Sequence, residues 1–415
     1  MKRYLVFLVV LIICSACGQR NVKPTPPMPK APSCTCLPTE TISAVPVPEV
    51  PKNGETKPGE AVKIADYGLL KPSRWEAIEG LQEDNLAAAW GAWQLSCSTL
   101  KYKPQWQAVC NATNGLGTPS NAQVMEYLTQ NFEVYQATNL DNTDIGLITG
   151  YYEPILKASR NKSSVYTQPL YRQPDDLITV ELADIFPELK YKRVRGKLQG
   201  NKLVPYLTRA EIESNAASLN GKELAWLSDP VDAFFLQIQG SGLLRLDNGE
   251  QVHVGYADQN GHTYNSIGRI LIERGELTAD KASMQGIKQW AANNPGKLRE
   301  VLNYNPSYVF FRELPGELPG PLGALGIPIS SERSVAIDPK FIPLGAPVFL
   351  STTLPNSEKP LKRLMMAQDT GGAIKGGVRA DFFWGAGEKA GQLAGAMKQK
   401  GKIWVLLPKG FFSKQ

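Results

Sequence analysis

The sequence predicts a mainly β fold with some helices, in which short strands form β-barrels rather than a sandwich of long strands. Runs of β-branched and aromatic residues, separated by Gly and Pro, fill much of the chain after Ile145. Short strands at such spacing favour barrels. Asp247-Asn-Gly-Glu lies between two apolar runs, and Asn-Gly there is a strong hairpin signal. The roughly 350 residues that follow the N-terminal region exceed one small core, so we expect two domains.

Helices are predicted where apolar residues recur at three- and four-residue spacing. These segments are residues 84–95, 121–132, 266–274 and 284–293. Strands are predicted where β-branched and aromatic residues form short runs between Gly and Pro. They cover residues 146–152, 165–171, 234–238, 243–246, 334–337, 347–350, 364–368 and 402–407. Predicted strands therefore lie on both sides of the helical segments at residues 266–274 and 284–293.

The first residues predict export. Lys2 and Arg3 form a basic region, and an apolar run follows from Tyr4 to Ile13. That run is shorter than the roughly 18–20 residues needed to span a bilayer. We therefore expect residues 1–16 to be a removable signal peptide.

The residues around Cys17 favour a lipid anchor. Ser15 and Ala16 are small residues directly before this Cys, as in bacterial lipoproteins whose Cys becomes the lipidated N-terminus. Cys14 departs from that pattern, which usually has Leu there, and ordinary cleavage after Ala16 is the alternative. Gly18 rather than Asp follows the Cys, which indicates the periplasmic face of the outer membrane.

A Pro-rich tether is predicted over residues 17–61. Such a composition cannot bury a core and behaves as an extended spacer. The formal net charge is +6, and about +4 remains after removal of the signal peptide. This mild charge permits attraction to an acidic wall polymer but provides no basic stripe for nucleic acid.

Cys97 and Cys110 are predicted to form a disulfide, because export places them in an oxidising compartment and their spacing closes a short loop. The alternative is that one of them is a catalytic thiol nucleophile. This is less favoured, because neither Cys has a His nearby in sequence. Cys34 and Cys36 lie in the tether, and their state is left open.

The segment 367–385 contains the residues that are the strongest candidates for catalysis. Asp369 and Asp381 bracket a Gly-rich loop that contains Lys375. Glycines let the backbone approach a ligand closely. Asp381 is followed by three aromatic residues, 382–384, and an apolar wall raises the pKa of a carboxyl group. A raised pKa suits a general acid for glycoside cleavage. The alternative is that Asp381 only caps a turn before a core strand.

Other chemistries find less support. The glycine loop lacks the Gly-Lys-Ser/Thr ending of a phosphate-binding loop. His253 and His262 do not form a His-Glu-x-x-His motif, so we expect no metal. Ser241 lacks the Gly-x-Ser-x-Gly elbow of a serine hydrolase. No cofactor is implied.

Several motifs resemble the membrane-bound lytic murein transglycosylase A family and its C-terminal three-aspartate domain. The third aspartate matches Asp338, in a Ser-Val-Ala-Ile-Asp-Pro-Lys motif. Further matches are Thr149-Gly-Tyr-Tyr-Glu-Pro, Phe235-Leu-Gln-Ile-Gln-Gly-Ser-Gly, Gly261-His-Thr-Tyr-Asn-Ser-Ile-Gly and Asn305-Pro-Ser-Tyr-Val-Phe-Phe. The resemblance covers about residues 65–415, and the motifs occur in the expected order.

The resemblance implies a double-psi β-barrel and a second, smaller β-barrel domain, with a groove for glycan between them. The catalytic barrel would comprise residues 62–158 and 306–415, and the inserted domain residues 159–305. Asp381 matches the catalytic acid. The expected substrate-binding residues are Asp369, Asp338, Thr149, Tyr151, Gln239, Gly240, Ser241 and Lys375.

The implied activity is exolytic, non-hydrolytic cleavage of the β-1,4 bond between N-acetylmuramic acid and N-acetylglucosamine, which leaves 1,6-anhydro ends. Expected partners are peptidoglycan strands, the membrane through the lipid anchor, and other proteins of wall synthesis or degradation. Three alternatives stay open: a lysozyme-like hydrolase that uses Asp369 with Asp381, a non-catalytic wall-binding protein, and a scaffold for other wall enzymes.

Overall fold

The computed structural model describes residues 66–215, 219–316 and 318–414. The predicted signal peptide, Cys17, the tether and its two Cys residues lie outside these ranges. No helix in the described ranges is long and apolar enough to cross a membrane.

The described α-helices are α1 (Trp90–Leu100), α2 (Pro104–Asn111), α3 (Asn121–Asn131), α4 (Arg209–Ser214), α5 (Pro230–Gln239), α6 (Ile267–Glu273), α7 (Met284–Asn293), α8 (Pro295–Asn303) and α9 (Gly387–Ala396). The strands are β1 (Leu70–Pro72), β2 (Phe132–Ala137), β3 (Gly146–Glu153), β4 (Ile155–Ser159), β5 (Gln168–Tyr171), β6 (Ile178–Thr179), β7 (Arg195–Gln199), β8 (Lys202–Pro205), β9 (Glu223–Leu227), β10 (Ser241–Leu246), β11 (Gln251–Gln259), β12 (Val309–Glu313), β13 (Ser334–Ile337), β14 (Pro347–Thr353), β15 (Pro360–Thr370), β16 (Arg379–Ala386) and β17 (Lys398–Pro408). The predicted mainly β chain with some helices is confirmed.

The larger sheet closes into a barrel. Its strand order is β1-β2-β17-β14-β15-β13-β16-β3. β17 also pairs with β3 through residues 398–401, so β17, β14, β15, β13, β16 and β3 form a closed ring of six strands. Two neighbouring pairs, β13 with β15 and β16 with β3, are parallel. A β-barrel was predicted and is present; the double-psi crossing of its strands stays a prediction.

The barrel core is filled by apolar side chains from the strands and from α1 to α3. Trp93, Phe132 and Phe349 are fully buried there. Gln368 is buried among them, and its amide donates to the carbonyl of Ala92 and to Ser96. This pair of hydrogen bonds ties α1 to β15 and satisfies a polar group that would otherwise destabilise the core.

A second sheet has the order β12-β11-β10-β4-β9-β5 and its own apolar core. Helices α5 to α8 pack beside it around a further cluster, and β6-β7-β8 form a small separate sheet. β4 and β12 both belong to the second sheet, so it extends past both ends of the predicted insert 159–305.

The hairpin prediction at Asp247-Asn-Gly-Glu is confirmed. β10 and β11 are antiparallel, and the Leu246 N–H donates to the Glu250 carbonyl at 2.8 Å. Gly249 has a φ of 88°, a left-handed conformation that glycine adopts without strain.

The strand predicted over residues 234–238 is wrong, because these residues belong to α5. Asp229 caps this helix by accepting the N–H groups of Val231 and Asp232 at 2.7 and 3.1 Å. Pro230 occupies the first turn, and Gly240 ends the helix in a left-handed conformation. The two phenylalanines favour a strand by propensity, but these end signals and packing on both sides favour a helix.

Cys97 and Cys110 form a disulfide between α1 and α2, with their Cα atoms 5.1 Å apart. Both residues are buried beside Trp106 in the barrel core. The bond therefore fixes the α1–α2 hairpin against the apolar cluster that supports the barrel.

Replacing both residues, Cys97→Ala with Cys110→Ala, is expected to lower the free energy of unfolding by about 3 kcal/mol, because a short loop is no longer closed in the unfolded chain. Urea denaturation measures this change. A reducing agent should destabilise the wild type similarly and leave the double variant unaffected. Equal stability of the two proteins would contradict the prediction.

Candidate active site

The barrel register places the candidate catalytic residue in a row of four side chains. Asp381 on β16 lies opposite Thr149 on the parallel strand β3 and opposite Ala336 on β13. Ala336 in turn pairs with Asp369 on β15. Directly opposed residues share one face of a sheet. Asp369, Ala336, Asp381 and Thr149 therefore lie side by side, and the small Ala336 leaves space between the two carboxyl groups.

Thr149 is the direct partner of Asp381. Its hydroxyl donates to Oδ1 of Asp381 at 2.5 Å. The alternative, in which Asp381 only caps a turn before a core strand, does not hold, because Asp381 lies within β16. The other carboxyl oxygen, Oδ2, has no partner among the described residues.

Burial raises the pKa of Asp381 to about 6 from its ordinary value of 3.8. The nearby charge of Asp369 also raises this pKa, whereas the Thr149 hydrogen bond and the charge of Arg379 lower it. Burial outweighs the two opposing effects. A carboxyl group with this pKa is protonated in roughly a tenth of molecules at neutral pH, against fewer than one in a thousand at its ordinary pKa.

Of the three aromatic residues predicted to surround Asp381, residues 382–384, only one lies on the same face of β16 as Asp381. Side chains alternate along a strand. Phe382 and Trp384 accordingly point into the barrel core, with their ring centroids 4.5 Å apart. Phe383 shares the face of Asp381 and packs against Tyr151, with 5.1 Å between ring centroids.

Asp369 is held as an acceptor through both oxygens. Oδ2 accepts from the Tyr151 hydroxyl at 3.0 Å, and Oδ1 accepts from the N–H groups of Ala324 and Thr370 at 2.9 Å each. Burial raises the pKa of Asp369, and these three donors act in the opposite direction. The carboxyl group therefore fixes the loop at Ala324 against the barrel.

A cavity of about 1290 Å³ lies in front of this row. Asp369, Asp381 and loop residues 371–375 line it from the barrel, and residues 239–241, 255–257 and 259–264 line it from the region of the second sheet. Thr149 and Tyr151 are not among the lining residues, but each donates a hydrogen bond to a lining carboxyl group, Thr149 to Asp381 and Tyr151 to Asp369. Both β regions therefore line this cavity, and its identity with the expected glycan groove stays a prediction.

The predicted motif residues Gln239, Gly240 and Ser241 line the opposite side of the cavity. Gln239 is the last residue of α5, and its side-chain oxygen accepts the Tyr152 N–H at 3.1 Å. That hydrogen bond joins α5 to β3, the strand that carries Thr149. Gly240 and Ser241 connect α5 to β10 at the cavity surface.

Comparison with known proteins identifies the family. The model of the MltA-specific insert domain matches residues 147–312, and the model of the 3D domain matches residues 333–407. Membrane-bound lytic murein transglycosylase A of Escherichia coli K12 is 33% identical over 281 residues, which cover 66% of this chain and 69% of that protein. The chain belongs to this family. The resemblance inferred from the sequence motifs is therefore confirmed.

Solved structures of the family agree with this assignment. The crystal structure of MltA from Neisseria gonorrhoeae in a monoclinic form is 39% identical, has a TM-score of 0.70, and covers 82% of this chain and 93% of its own. The crystal structure of E. coli MltA with bound chitohexaose is 26% identical, has a TM-score of 0.61, and covers 85% of this chain and 99% of its own.

The third aspartate of the family motif, Asp338, contacts the Gly-rich loop that lines the cavity. It is buried and does not line the cavity. Its Oδ2 accepts the Gly376 N–H at 3.0 Å, and its Oδ1 is 4.0 Å from the Nζ atom of Lys375. Asp338 thus fixes the Gly-rich loop through a buried carboxyl group. Lys375 is exposed on that loop, and its charged Nζ atom lies near the Asp338 carboxyl group.

Arg379 is a functional residue that the sequence analysis missed. Its Nη2 atom donates to the Thr149 hydroxyl at 2.9 Å, and Nη1 donates to the Ala380 carbonyl at 2.6 Å. A guanidinium group only donates. The Thr149 hydroxyl must therefore accept from Arg379 and direct its own proton to Asp381. Arg379 precedes Asp381 by two residues, so strand alternation places both on one face, which was the available signal.

Both histidines have protein partners. His253 Nδ1 lies 3.1 Å from Oε1 of the buried Glu153, and His262 Nε2 lies 2.7 Å from the Tyr206 carbonyl. Within the described ranges, no three His, Cys, Asp or Glu residues are grouped so that they could hold a metal ion.

Asp381→Asn is expected to raise the melting temperature at about pH 8 and to change it little at about pH 4. The folded pKa of Asp381, about 6, lies above the ordinary 3.8. The folded protein therefore binds this proton more tightly than the unfolded chain does. The resulting contribution to folding stability is fully present below the unfolded pKa and is lost as pH rises through the folded pKa. A neutral amide avoids that loss.

Differential scanning calorimetry at the two pH values measures the effect. Asp184→Asn is the matched control, because Asp184 is exposed and its replacement should alter neither melting temperature. A variant that melts below the wild type at the higher pH would contradict the account.

Proposed function

We propose that this chain is a peptidoglycan lytic transglycosylase that cleaves the β-1,4 bond between N-acetylmuramic acid and N-acetylglucosamine and forms a 1,6-anhydro end. One observation carries the proposal: a carboxyl group with a pKa of about 6 faces a cavity large enough for several sugar units. Relatives support it, since the E. coli protein is named a lytic murein transglycosylase and a solved E. coli structure holds chitohexaose.

In the first step, the protonated Asp381 donates to the glycosidic oxygen as the bond to C1 breaks and the muramic ring gains oxocarbenium character. The Arg379–Thr149 pair supports a choice between the two oxygens. Because Oδ1 accepts from Thr149, the acidic proton resides on Oδ2. The leaving N-acetylglucosamine takes that proton and departs with a new hydroxyl group.

In the second step, the ionised Asp381 accepts the proton of the muramic C6 hydroxyl while that oxygen bonds to C1. The product is the anhydro sugar, and Asp381 regains its proton. Because the nucleophile belongs to the substrate, its attack gains from intramolecular positioning. No second carboxylate is needed to activate water, and the three donors that occupy Asp369 favour an anchoring role for it over that of a base.

The remaining site residues divide by position. We propose that Gln239, Gly240, Ser241, Asp369 and Lys375 contact the glycan, because they line the cavity. Thr149, Tyr151 and Asp338 are positioning residues, since each acts through a lining residue or loop. The catalytic part would be the barrel, and the insert that closes the cavity would comprise the second sheet from β4 to β12.

The envelope location belongs to the same proposal. Residues 1–16 would direct export, Cys17 would carry the lipid, and the Pro-rich tether would let an enzyme on the outer membrane reach the wall. The relatives named as membrane-bound support an association with the cell envelope.

Asp381→Asn is expected to reduce release of soluble fragments from purified peptidoglycan by about 10²–10⁴-fold, because proton transfer is lost in both steps. Asp184→Asn should retain full activity. Circular dichroism and binding to insoluble peptidoglycan confirm that the variant is folded and still recognises the polymer.

Mass spectrometry of the wild-type fragments decides the reaction type. Anhydro ends are lighter than reducing ends by one water, and we expect the lighter products. Reducing ends would show a hydrolase instead. Full activity of Asp381→Asn would rule out the assigned residue.

A further inference from the structure

The cavity has more positive than negative groups. Its acidic lining residues are Asp369 and Asp381. Its cationic lining residues are Lys192, Arg193, Arg195, Arg209, Arg312, Lys375 and Arg379. A polymer of N-acetylglucosamine alone carries no charge, so it has no group that could pair with this excess of positive charge. Uncompensated charge of one sign in a cleft attracts ligands of the other sign.

Some of these cations are engaged by the protein. Arg195 forms an ion pair with Asp258 at 2.8 Å, and the buried Arg209 donates to the carbonyls of Asn305 and Ser307. Arg379 holds Thr149, as described above. Lys192, Arg193 and Arg312 differ, because no acidic oxygen of the described residues lies within 4.0 Å of their charged nitrogens. Arg193 acts on Asp369 only from a longer distance, where its charge favours the ionised form and lowers the pKa of that carboxyl group.

Arg193 has the most defined position of the three. Its guanidinium lies over the ring of Tyr256 on β11, 5.7 Å from the ring centroid. The Gly-rich loop is also close to this side chain, because a Cβ atom added to Gly372 would lie 3.8 Å from Nη1. Arg193 therefore lies near both the second sheet and the barrel loop, and the ring limits the freedom of its side chain.

Lys375 lies on the same loop, three residues after Gly372. Its Nζ atom is 4.0 Å from Asp338, longer than a strong ion pair, and its side chain is 57% exposed. Asp338 already accepts the N–H groups of Gly376 and Lys340. Lys375 can therefore turn towards a ligand at little cost.

We propose that Arg193, assisted by Lys375, binds a carboxylate carried by the muramic residues of the glycan strand. This inference rests on the proposed function. A muramic residue differs from N-acetylglucosamine by a lactyl ether, whose carboxylate is free in a peptide-free strand and amide-linked in a strand that bears peptides. The attached peptide then supplies carboxylates of its own. A planar guanidinium suits either carboxylate through two parallel hydrogen bonds.

The test measures binding in the Asp381→Asn background by isothermal titration calorimetry, so that no ligand is consumed. The ligands are peptide-bearing glycan fragments, peptide-free fragments with lactyl carboxylates, and chitohexaose, which has no carboxylate. Arg193→Gln is compared with Arg74→Gln, which removes the same charge from an exposed residue outside the cavity.

Arg193→Gln should lower the affinity ratio of carboxylate-bearing to neutral ligand about tenfold, and adding Lys375→Gln should lower it further. A fall confined to peptide-bearing fragments assigns the peptide as the source of the carboxylate, and a fall with peptide-free fragments assigns the lactyl group. An unchanged ratio, or an equal fall with Arg74→Gln, overturns the inference. Failure of the parent protein to bind any glycan would instead overturn the proposed function itself.

Discussion

The carboxyl group of Asp381 loses hydration where β16 lies between β13 and β3, and the rest of the site depends on that loss. Thr149 and Arg379 both favour the charged form, yet burial keeps the pKa of Asp381 near 6. If burial were weaker, these two neighbours would leave an ordinary carboxylate with no proton to donate. The position of the strand in the barrel therefore decides whether this residue can be an acid at all.

The pairing of β3 with β16 places Asp381 in its buried position, and the chain that connects these two strands forms the opposite wall of the cavity. Thr149 and Asp381 are separated by 232 residues, and the parallel pairing of β3 with β16 brings them together. Parallel neighbours require a long connection. Here the connection includes the second sheet and α5, whose end places Gln239 and Ser241 across from Asp381. The same topology thus positions the proposed acid and provides the surface that faces it.

Sequence reasoning located several strands and several helices and singled out Asp381 as a candidate, because periodicity and a carboxyl group next to apolar residues are local signals. It did not find features that depend on contacts between residues far apart in sequence. Phe234 and Phe235 indicated a strand, but Asp229 and Gly240 cap a helix around them. Asp338 was singled out by its motif, but the hydrogen bond from the Gly376 N–H to its carboxyl group joins residues 38 positions apart and depends on the fold. Arg379 was missed because its role depends on Thr149, a residue far away in sequence that only strand pairing brings close.

The central claim is that Asp381 retains a proton well above the pH at which an ordinary aspartic acid ionises. Carbon-13 NMR of the protein labelled at aspartate carboxyl carbons follows this directly, with Asp381→Asn used to assign the signal. The account predicts a titration midpoint near 6. A midpoint near the ordinary value of 3.8 would contradict it, because the cavity would then hold a permanent carboxylate that cannot act as an acid.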